Sequence, residues 1–380
     1  FEKLIDPTID PPLGLLILTQ ALRREGHDVQ VFSDNDFSTF DERLLDFDCV
    51  GISFTTPVAY RSYKLADQLR AKGIKTIGGG AHASALPDEA LEHFDTVVIG
   101  EGESVVCEAI EMMATSATRK YFGVPLRKIE EPAWDLYHFS QTRTIANMPA
   151  IMIETSRGCN YRCNFCNSSV LSKTLRYKPL AQIEAEVKWL MSKGYKAFKI
   201  TDDDFIADES RASQIATMFG ELGVKYRIFS HIRGMNYTLA RHLVDTGCVS
   251  CGLGIETCDD DLLKLMNKRQ RYRDISSGLV AMQEAELPAR LFLLVGYPGE
   301  TDESVELTIS RLSKLPWSSY ACFSCIPYPG TMLFAEPARF GITYISHNWD
   351  EYVQIDKENH VPYVMDTTSF SRDDVRRRRE

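Results

Sequence analysis

The chain has 380 residues, with 43 basic and 53 acidic side chains and a net charge of −10. That is long enough for two domains with separate cores, and the acidic balance makes nucleic acid or an anionic membrane the least favoured partner, because polyanions are held by clustered Lys and Arg. No apolar run reaches the length of a bilayer span and no signal-peptide pattern opens the chain, which begins at Phe1 and is therefore expected to lack its natural start. Ten cysteines are too few for a disulfide framework. Their clustering suits a metal or redox site in a reducing compartment, so the expected location is cytoplasmic.

The first predicted element is a helix over "LGLLILTQALRREG", closed by Gly26 and followed by a strand at Val29–Phe32. "DCVGISFTT" reads as a buried strand, "AYRSYKLADQLRAKG" as a helix stopped by Gly73, and "IKTIGGG" as a second buried strand. A short helix over "PDEALEHF", a strand over "DTVVIGEGE" and a helix over "SVVCEAIEMMA" continue the alternation. Continuous apolar strands between amphipathic helices predict a parallel sheet covered on both faces. Residues 1–115 are accordingly read as a doubly wound, Rossmann-like domain. Residues 116–149 lack clean periodicity and read as a linker.

Alternation resumes at Ala150, with strands expected at 151–155, 196–201, 225–230, 249–255, 290–296 and 319–326. Helical runs such as "LAQIEAEVKWLMSKG" and "RDISSGLVAMQEAEL" lie between them. Six strand–helix units fall short of the eight of a closed TIM barrel, so residues 150–335 are expected to form a partial (β/α)6 barrel. Residues 336–380 are read as a C-terminal helical extension ending in "DDVRRRRE".

The loop after the first barrel strand carries "TSRGCNYRCNFC", with Cys159, Cys163 and Cys166 in a C-x3-C-x2-C arrangement. Thiolates suit zinc or iron–sulfur clusters. Structural zinc takes four ligands, commonly in two pairs, and no second pair is nearby; three cysteines on a [4Fe–4S] cluster would leave one iron with an open position. The loop falls at the C-terminal end of a barrel strand, where such folds place their active sites. A zinc site completed by a distant His or Cys is the alternative.

With Phe165 between its last two cysteines, this motif resembles the radical S-adenosylmethionine (SAM) superfamily. "ITDDDF" (200–205), "GLGIET" (252–257), "VGYPGET" (295–301) and "PYPGT" (327–331) match that family's later strand ends in order and spacing. The resemblance implies that Cys159, Cys163 and Cys166 hold a [4Fe–4S] cluster whose open iron chelates SAM. Reductive cleavage would then give a 5′-deoxyadenosyl radical, the electron coming from an external donor of flavodoxin or ferredoxin type. Phe165, Asp203, Glu256, Gly296 and Pro298 would contact SAM. Asp202–Asp204 could equally cap the next helix, and the Gly-Tyr-Pro-Gly of 296–299 is a turn in any case.

The first domain has neither G-x-G-x-x-G opening a helix nor a P-loop, so no dinucleotide or nucleotide-triphosphate site is indicated. "PPLGLLILTQALRREGHDVQVFS", "GISFTTPVAY", "IGGGAHASALPDEAL" and "VVIGEGE" resemble, in order, the cobalamin-binding domain fused to many radical SAM enzymes. On that resemblance Ser53, Thr55, Gly78, Gly79 and Gly80 would lodge the cofactor's dimethylbenzimidazole tail. Thr56 or Tyr60 would approach the cobalt, and His82 is read as ordinary helix entry rather than a cobalt ligand.

The two resemblances together imply a class B-like methyltransferase, which moves a methyl group from SAM through methylcobalamin to an unactivated carbon after hydrogen abstraction. A cyclase or rearrangement enzyme without methyl transfer, a methylthiotransferase, and a cobalamin sensor or carrier with an inactive barrel are the alternatives. Only Cys49 and Cys107 are available in the first domain for a methylthiotransferase's second cluster. A small molecule, a lipid precursor or a peptide would all suit the substrate site.

Overall fold

The computed structural model describes residues 11–32, 41–114, 119–137, 144–353 and 364–379. Its first domain is a four-stranded parallel sheet in the order β1 (Cys49–Ser53), β2 (Lys75–Gly79), β3 (Thr96–Gly100), β4 (Lys120–Gly123). Helices α1 (Leu13–Arg24), α2 (Ala59–Ala71), α3 (Gly80–Ala85), α4 (Pro87–His93) and α5 (Val106–Glu111) accompany it. Leu16 and Ile17 of α1 are fully buried, and Arg23 and Arg24 in its last turn oppose the negative helix end.

Two expectations for this half are corrected. Val29–Phe32 forms no strand, and Val31 instead packs its side chain against the barrel's core. Lys120–Gly123, inside the stretch read as a linker, is the fourth strand: Val97–Gly100 pair with it in register, and Tyr121 is buried with Ile77, Val98 and Ala109. Four residues with one buried side chain are too short to register as a period. The expected linker also includes 116–118 and 138–143, which lie outside the described residues.

The second domain is built on a seven-stranded sheet. After the edge strand β5 (Thr144–Ile145) come β6 (Met148–Ile153), a short ribbon of β7 (Ser156–Arg157) with β8 (Arg176–Tyr177), then β9 (Ala197–Ile200), β10 (Lys225–Ser230), β11 (Cys248–Glu256), β12 (Ala289–Val295) and β13 (Ser319–Ser324). The sheet order is β13-β12-β11-β10-β9-β6-β5, with β5 antiparallel to β6 and the other six strands parallel. This is a curled half-barrel of six parallel strands.

Its helices are α6 (Ser168–Leu171), α7 (Leu180–Ser192), α8 (Glu209–Leu222), α9 (Tyr237–Asp245), α10 (Asp260–Leu265), α11 (Tyr272–Glu284) and α12 (Asp302–Leu312). Asp208 caps α8 through the Arg211 N–H, and Gly223, at φ +67°, ends it. Strand alternation sends Ile151, Ile153, Phe198, Ile200, Tyr226, Ile228, Cys251 and Leu253 outward into one core with these helices. The other face of the sheet looks into the half-barrel.

The C-terminal stretch is not the helical extension expected. After α13 (Met332–Ala335) it holds an antiparallel ribbon of β14 (Ile342–Ile345) with β15 (Met365–Thr367), and only then α14 (Arg372–Arg379). Ile342 and Met365 of the ribbon are buried together with Leu294, Val295 and Tyr297 of the barrel. Between β14 and β15, Trp349 and Tyr352 enter the first domain's core beside Phe54, Tyr63 and Phe94.

Candidate functional site

Cys159, Cys163 and Cys166 lie half-buried on the loop that follows β7 and line one small cavity with Tyr161, Arg162, Ser168 and Ser172. The loop's shape is fixed by ties to the turn after α10. Asn164 donates its backbone N–H to the Met266 carbonyl (3.0 Å) and its Nδ2 to that of Leu265 (2.7 Å), while Asn267 Nδ2 donates to the Arg162 carbonyl (2.6 Å). Gly158, at φ +86°, precedes the first cysteine; a Cβ there would come 2.5 Å from the Thr174 carbonyl oxygen.

Burial pushes the Cys163 thiol up to about 12, with the nearby Lys268 ammonium opposing it, and burial also raises Cys159. Uncoordinated, these groups stay thiols; a bound cationic iron would deprotonate them. Among the described residues no three His, Cys, Asp or Glu side chains converge as a single-ion site. Three thiols spread around a cavity on one loop match a cluster, whose irons stand apart, better than one ion.

Above the loop sits a buried ion pair, Lys268 Nζ to Glu256 Oε1 at 2.8 Å. Burial works against the Lys268 charge, but Glu256 and Cys163 outweigh it and hold the ammonium above its usual range. Glu256 has φ +63°, and the register between Gly254 and Glu256 slips against β12, leaving Ile255 as the extra residue of a bulge. A bulge re-aims the residue after it. Here it folds the carboxylate back over Gly254, where a Cβ would stand 2.7 Å from Lys268 Nζ and 2.8 Å from Glu256 Oε1.

The Phe165 ring lies 6.0 Å from Lys268 Nζ and meets Tyr297 edge-on at 6.3 Å. Tyr161 stacks on His231 at 4.1 Å; the His231 Nε2 is 3.0 Å from the Lys268 carbonyl, and its Nδ1 accepts the Arg233 N–H. Burial and the Lys268 charge hold His231 down to about 4, which keeps it neutral.

The three aspartates separate in role, and none caps α8. Asp202 is buried and accepts from the Thr155 N–H (2.7 Å), the Thr155 hydroxyl (2.5 Å) and the Ser156 hydroxyl (2.5 Å), tying β9 to the start of the cysteine loop. Asp204 accepts from the Ser230 hydroxyl (2.7 Å) and the His231 N–H (3.1 Å), tying β9 to β10. Asp203 is exposed and accepts from Ser168 Oγ, on α6 beside the cysteines, at 2.9 Å. Gly296 and Pro298 are buried; the Gly296 N–H is donated to Glu300 Oε1 (3.0 Å), and Val375 of α14 packs over Gly296.

In the first domain, Gly51, Ser53 and Thr55 alternate outward and are exposed, with Gly79 in register beside Ser53. No described atom lies within 4 Å of a Cβ placed on Gly51, and the nearest to one on Gly79 is the Val98 carbonyl at 3.9 Å. Strand ends bare of side chains beside two hydroxyls fit an inserted flat ring. Gly78 and Gly80 have other reasons to be glycine. A Cβ on Gly78 would meet the Phe94 ring at 2.8 Å, and Gly80, at φ +91°, lies against the Phe54 backbone.

Thr56 and Tyr60 are engaged elsewhere. The buried Thr56 hydroxyl lies 3.1 Å from His82 Nδ1, and Tyr60 OH donates to the His347 carbonyl at 2.8 Å. Tyr60 lines a shallow surface depression with Tyr63, Lys64 and His93. His82 is fully buried.

The C-terminal ends of the two sheets meet. Arg157 joins Glu154, the residue after β6, to Glu101 and Glu103 beyond β3, and Arg176 pairs with Glu101. Gly330, in the loop after β13, has room for no Cβ between Val170 of α6 and Ala85 of α3. Sequence reasoning missed this network, along with Lys268, Asn164, Asn267 and His231. Charged and amide residues in a turn read as solvated, and only the fold brings them to the cysteines.

Fold and site define a two-domain α/β protein with a three-cysteine loop at the mouth of a half-barrel and an open, glycine-lined slot in the preceding domain. Comparison with known proteins agrees in both halves: residues 8–110 match the model of the B12 binding domain, and residues 153–312 that of the radical SAM superfamily. The chain is a radical SAM superfamily member with a B12 binding domain ahead of its barrel.

Among relatives, it is 29% identical over 392 residues to an uncharacterized methyltransferase of Pyrococcus horikoshii, covering 93% of this chain and 84% of that protein. It is 24% identical to the bacteriochlorophyllide d C-8(2)-methyltransferase of Chlorobaculum tepidum, over 81% of this chain and 72% of that one. Among solved structures, the radical SAM methyltransferase TsrM from Kitasatospora setae, with cobalamin and a [4Fe–4S] cluster bound, superposes at a TM-score of 0.73 and 18% identity. The match covers 96% of this chain and 82% of that one. Among the described residues, no helix is long and apolar enough to cross a membrane.

Proposed function

We propose that the protein is a cobalamin-dependent radical SAM methyltransferase acting on an unactivated carbon. The observation that carries this reading is the pairing, in one chain, of the three-cysteine cavity with the open Gly51–Ser53–Thr55/Gly79 slot, on sheet ends that face each other. The methyltransferase relatives support it.

Cys159, Cys163 and Cys166 hold the cluster as thiolates. The Lys268–Glu256 pair offers an ammonium and a carboxylate to the zwitterionic amino-acid end of SAM, Phe165 offers an apolar face to its adenine, and Asp203 orders the cysteine loop through Ser168. Gly296 and Pro298 would border the SAM site without donating to it, since the Gly296 N–H is already given to Glu300 and a proline carries no N–H. Ser53, Thr55 and Gly79 receive the cobalamin tail. When bound, the cluster with SAM supplies a hydrogen-abstracting radical and cobalamin supplies a transferable methyl group. The chain contributes position: it holds both groups at one mouth and shields the reacting carbon from water.

The substrate is a small molecule, a lipid precursor or a peptide, the electron comes from a flavodoxin- or ferredoxin-type donor, and the reducing cytoplasm is where the cysteines would stay available. The test is anaerobic purification and reconstitution, followed by quantification of iron, sulfide and corrinoid per chain. Four irons with about one corrinoid are expected. Four irons with no corrinoid retained, even after cobalamin is added, would overturn the methyl-transfer reading.

A further inference from the structure

Between β14 and β15 the chain leaves the barrel and runs across the first domain as a strap, Ser346–Val353. Trp349 is 2% exposed and Tyr352 fully buried there. Apolar packing accounts for their burial, but not for the polar arrangement they complete. One carboxylate oxygen, Glu89 Oε1, accepts from Trp349 Nε1 (2.7 Å) and from Tyr63 OH (2.9 Å), and lies 3.4 Å from His82 Nε2. The opposite ring nitrogen, His82 Nδ1, lies 3.1 Å from Thr56 Oγ1, and the Trp349 ring meets His82 edge-on at 5.1 Å. A second tie runs alongside, from Tyr60 OH to the His347 carbonyl. The strap's far end is held to the barrel by Tyr328 OH, which donates to the Tyr352 carbonyl at 3.0 Å.

Thr56 and Tyr60 bracket the segment that directly follows the Ser53–Thr55 edge of the slot, so the strap grips that segment from behind. This polar hub, with His82 fully buried and the Glu89 side chain 33% exposed, still costs desolvation that apolar side chains would avoid, and its return is a single register rather than stability. Taking the proposed function as given, we infer that Glu89 is a positioning residue for the cobalamin site. It clasps the strap to the Thr56–Tyr60 segment, so that strap docking and corrinoid affinity are coupled. Glu89 touches no cofactor in this arrangement; it acts through His82 and Thr56. Coupling is reciprocal, so whatever holds the segment for the corrinoid must also be tightened by the corrinoid.

The experiment uses the full chain as wild type, Glu89→Ala, Glu89→Gln and Trp349→Phe. Hydroxocobalamin binding is measured by equilibrium dialysis, and amide hydrogen exchange is followed in the peptide covering 345–353 with and without the corrinoid. In the wild type the corrinoid slows exchange in the strap. Glu89→Ala weakens binding by about tenfold, within the usual span of such coupling, and abolishes the slowing. Glu89→Gln keeps an acceptor oxygen for Trp349 and Tyr63 and recovers most of both effects, which a general loss of stability would not do. Trp349→Phe keeps the ring and loses the donor, and falls between; it carries the comparison if Glu89→Ala does not fold. Binding within twofold of wild type in Glu89→Ala or Trp349→Phe, or strap exchange indifferent to the corrinoid in the wild type, overturns the inference alone. A wild-type chain that binds no corrinoid overturns the functional reading beneath it.

Discussion

Replacing Arg157 by Met is expected to be the most damaging single change between the domains. Its Nε and Nη2 grip both oxygens of Glu154 (2.6 and 3.0 Å), and its Nη1 reaches Glu103 (2.5 Å) and Glu101 (3.1 Å). The four side chains are 18%, 12%, 10% and 5% exposed, so solvent screens little of the interaction. Arg176, paired with Glu101 and donating to the Leu126 carbonyl, completes a set of two cations and three carboxylates. Removing Arg157 leaves one cation among three carboxylates. Breaking a buried pair costs about 3–5 kcal/mol, and stranding several like charges places this change at the upper end. Glu101→Gln leaves two cations with two carboxylates and keeps an acceptor, so about 1–3 kcal/mol is expected. The assay is equilibrium urea unfolding of the apo chain, followed by tryptophan emission. The variant carrying Arg157→Met, Glu101→Gln and Glu103→Gln should recover most of the loss. A cost below about 1 kcal/mol for Arg157→Met, or one smaller than that of Glu101→Gln, would refute the reasoning.

Lys268→Met strands the buried Glu256 carboxylate and should cost about 3 kcal/mol while leaving the iron content of reconstituted protein unchanged; equilibrium dialysis with SAM should show at least a tenfold loss of affinity. Gly123→Ala would bring a Cβ 1.8 Å from the Glu101 carbonyl oxygen, a backbone atom that cannot swing aside, whereas a Cβ on Gly252 meets only the Phe229 and Phe292 rings at 2.7 and 2.8 Å. Gly123→Ala should therefore lower stability by about 3 kcal/mol and Gly252→Ala by about 1, an order that urea melts of the two variants test directly. Glu300 is raised by burial to about 7, with the Gly296 N–H and Arg378 opposing the rise. Its folded pKa lies above its unfolded one, so the folded state holds the proton longer, and stability falls between about pH 4.5 and 7 and is level above. Glu300→Gln should remove that fall, by up to about 3 kcal/mol, when thermal melts of the two proteins are compared at pH 5 and pH 8.

The barrel was legible because its information is local. Runs such as Met148–Ile153 and Leu291–Val295 are continuously apolar and evenly spaced by amphipathic helices, and all six parallel strands fall within the predicted stretches or a few residues from them. The cysteine loop was legible for the same reason, since its three thiols are neighbours in sequence. What escaped depends on distant partners. Lys268 becomes part of the site only because a bulge turns Glu256 toward it, and Lys120–Gly123 is a strand only because Val97–Gly100 offers it an edge. Motif position alone points Thr56 or Tyr60 toward a cofactor. Their hydroxyls are taken by His82 and by the strap, which arrives from the far end of the chain.

The character of the domain contact bears on the proposed chemistry. An apolar interface between the sheet ends would be as stable and would desolvate no charge, yet apolar surfaces slide at little cost. A guanidinium fork does not, because its parallel N–H bonds are met in one orientation only. Arg157 stands two residues before Cys159, and Glu101 directly follows the last residue of β3. The fork grips its own domain through Glu154 and the other domain through Glu101 and Glu103, so a shift of one domain breaks bonds on the residue that leads into the cluster loop. Radical transfer between two separately bound groups tolerates little displacement. A buried ionic contact at this one place, with apolar packing elsewhere, is the arrangement that requirement would select.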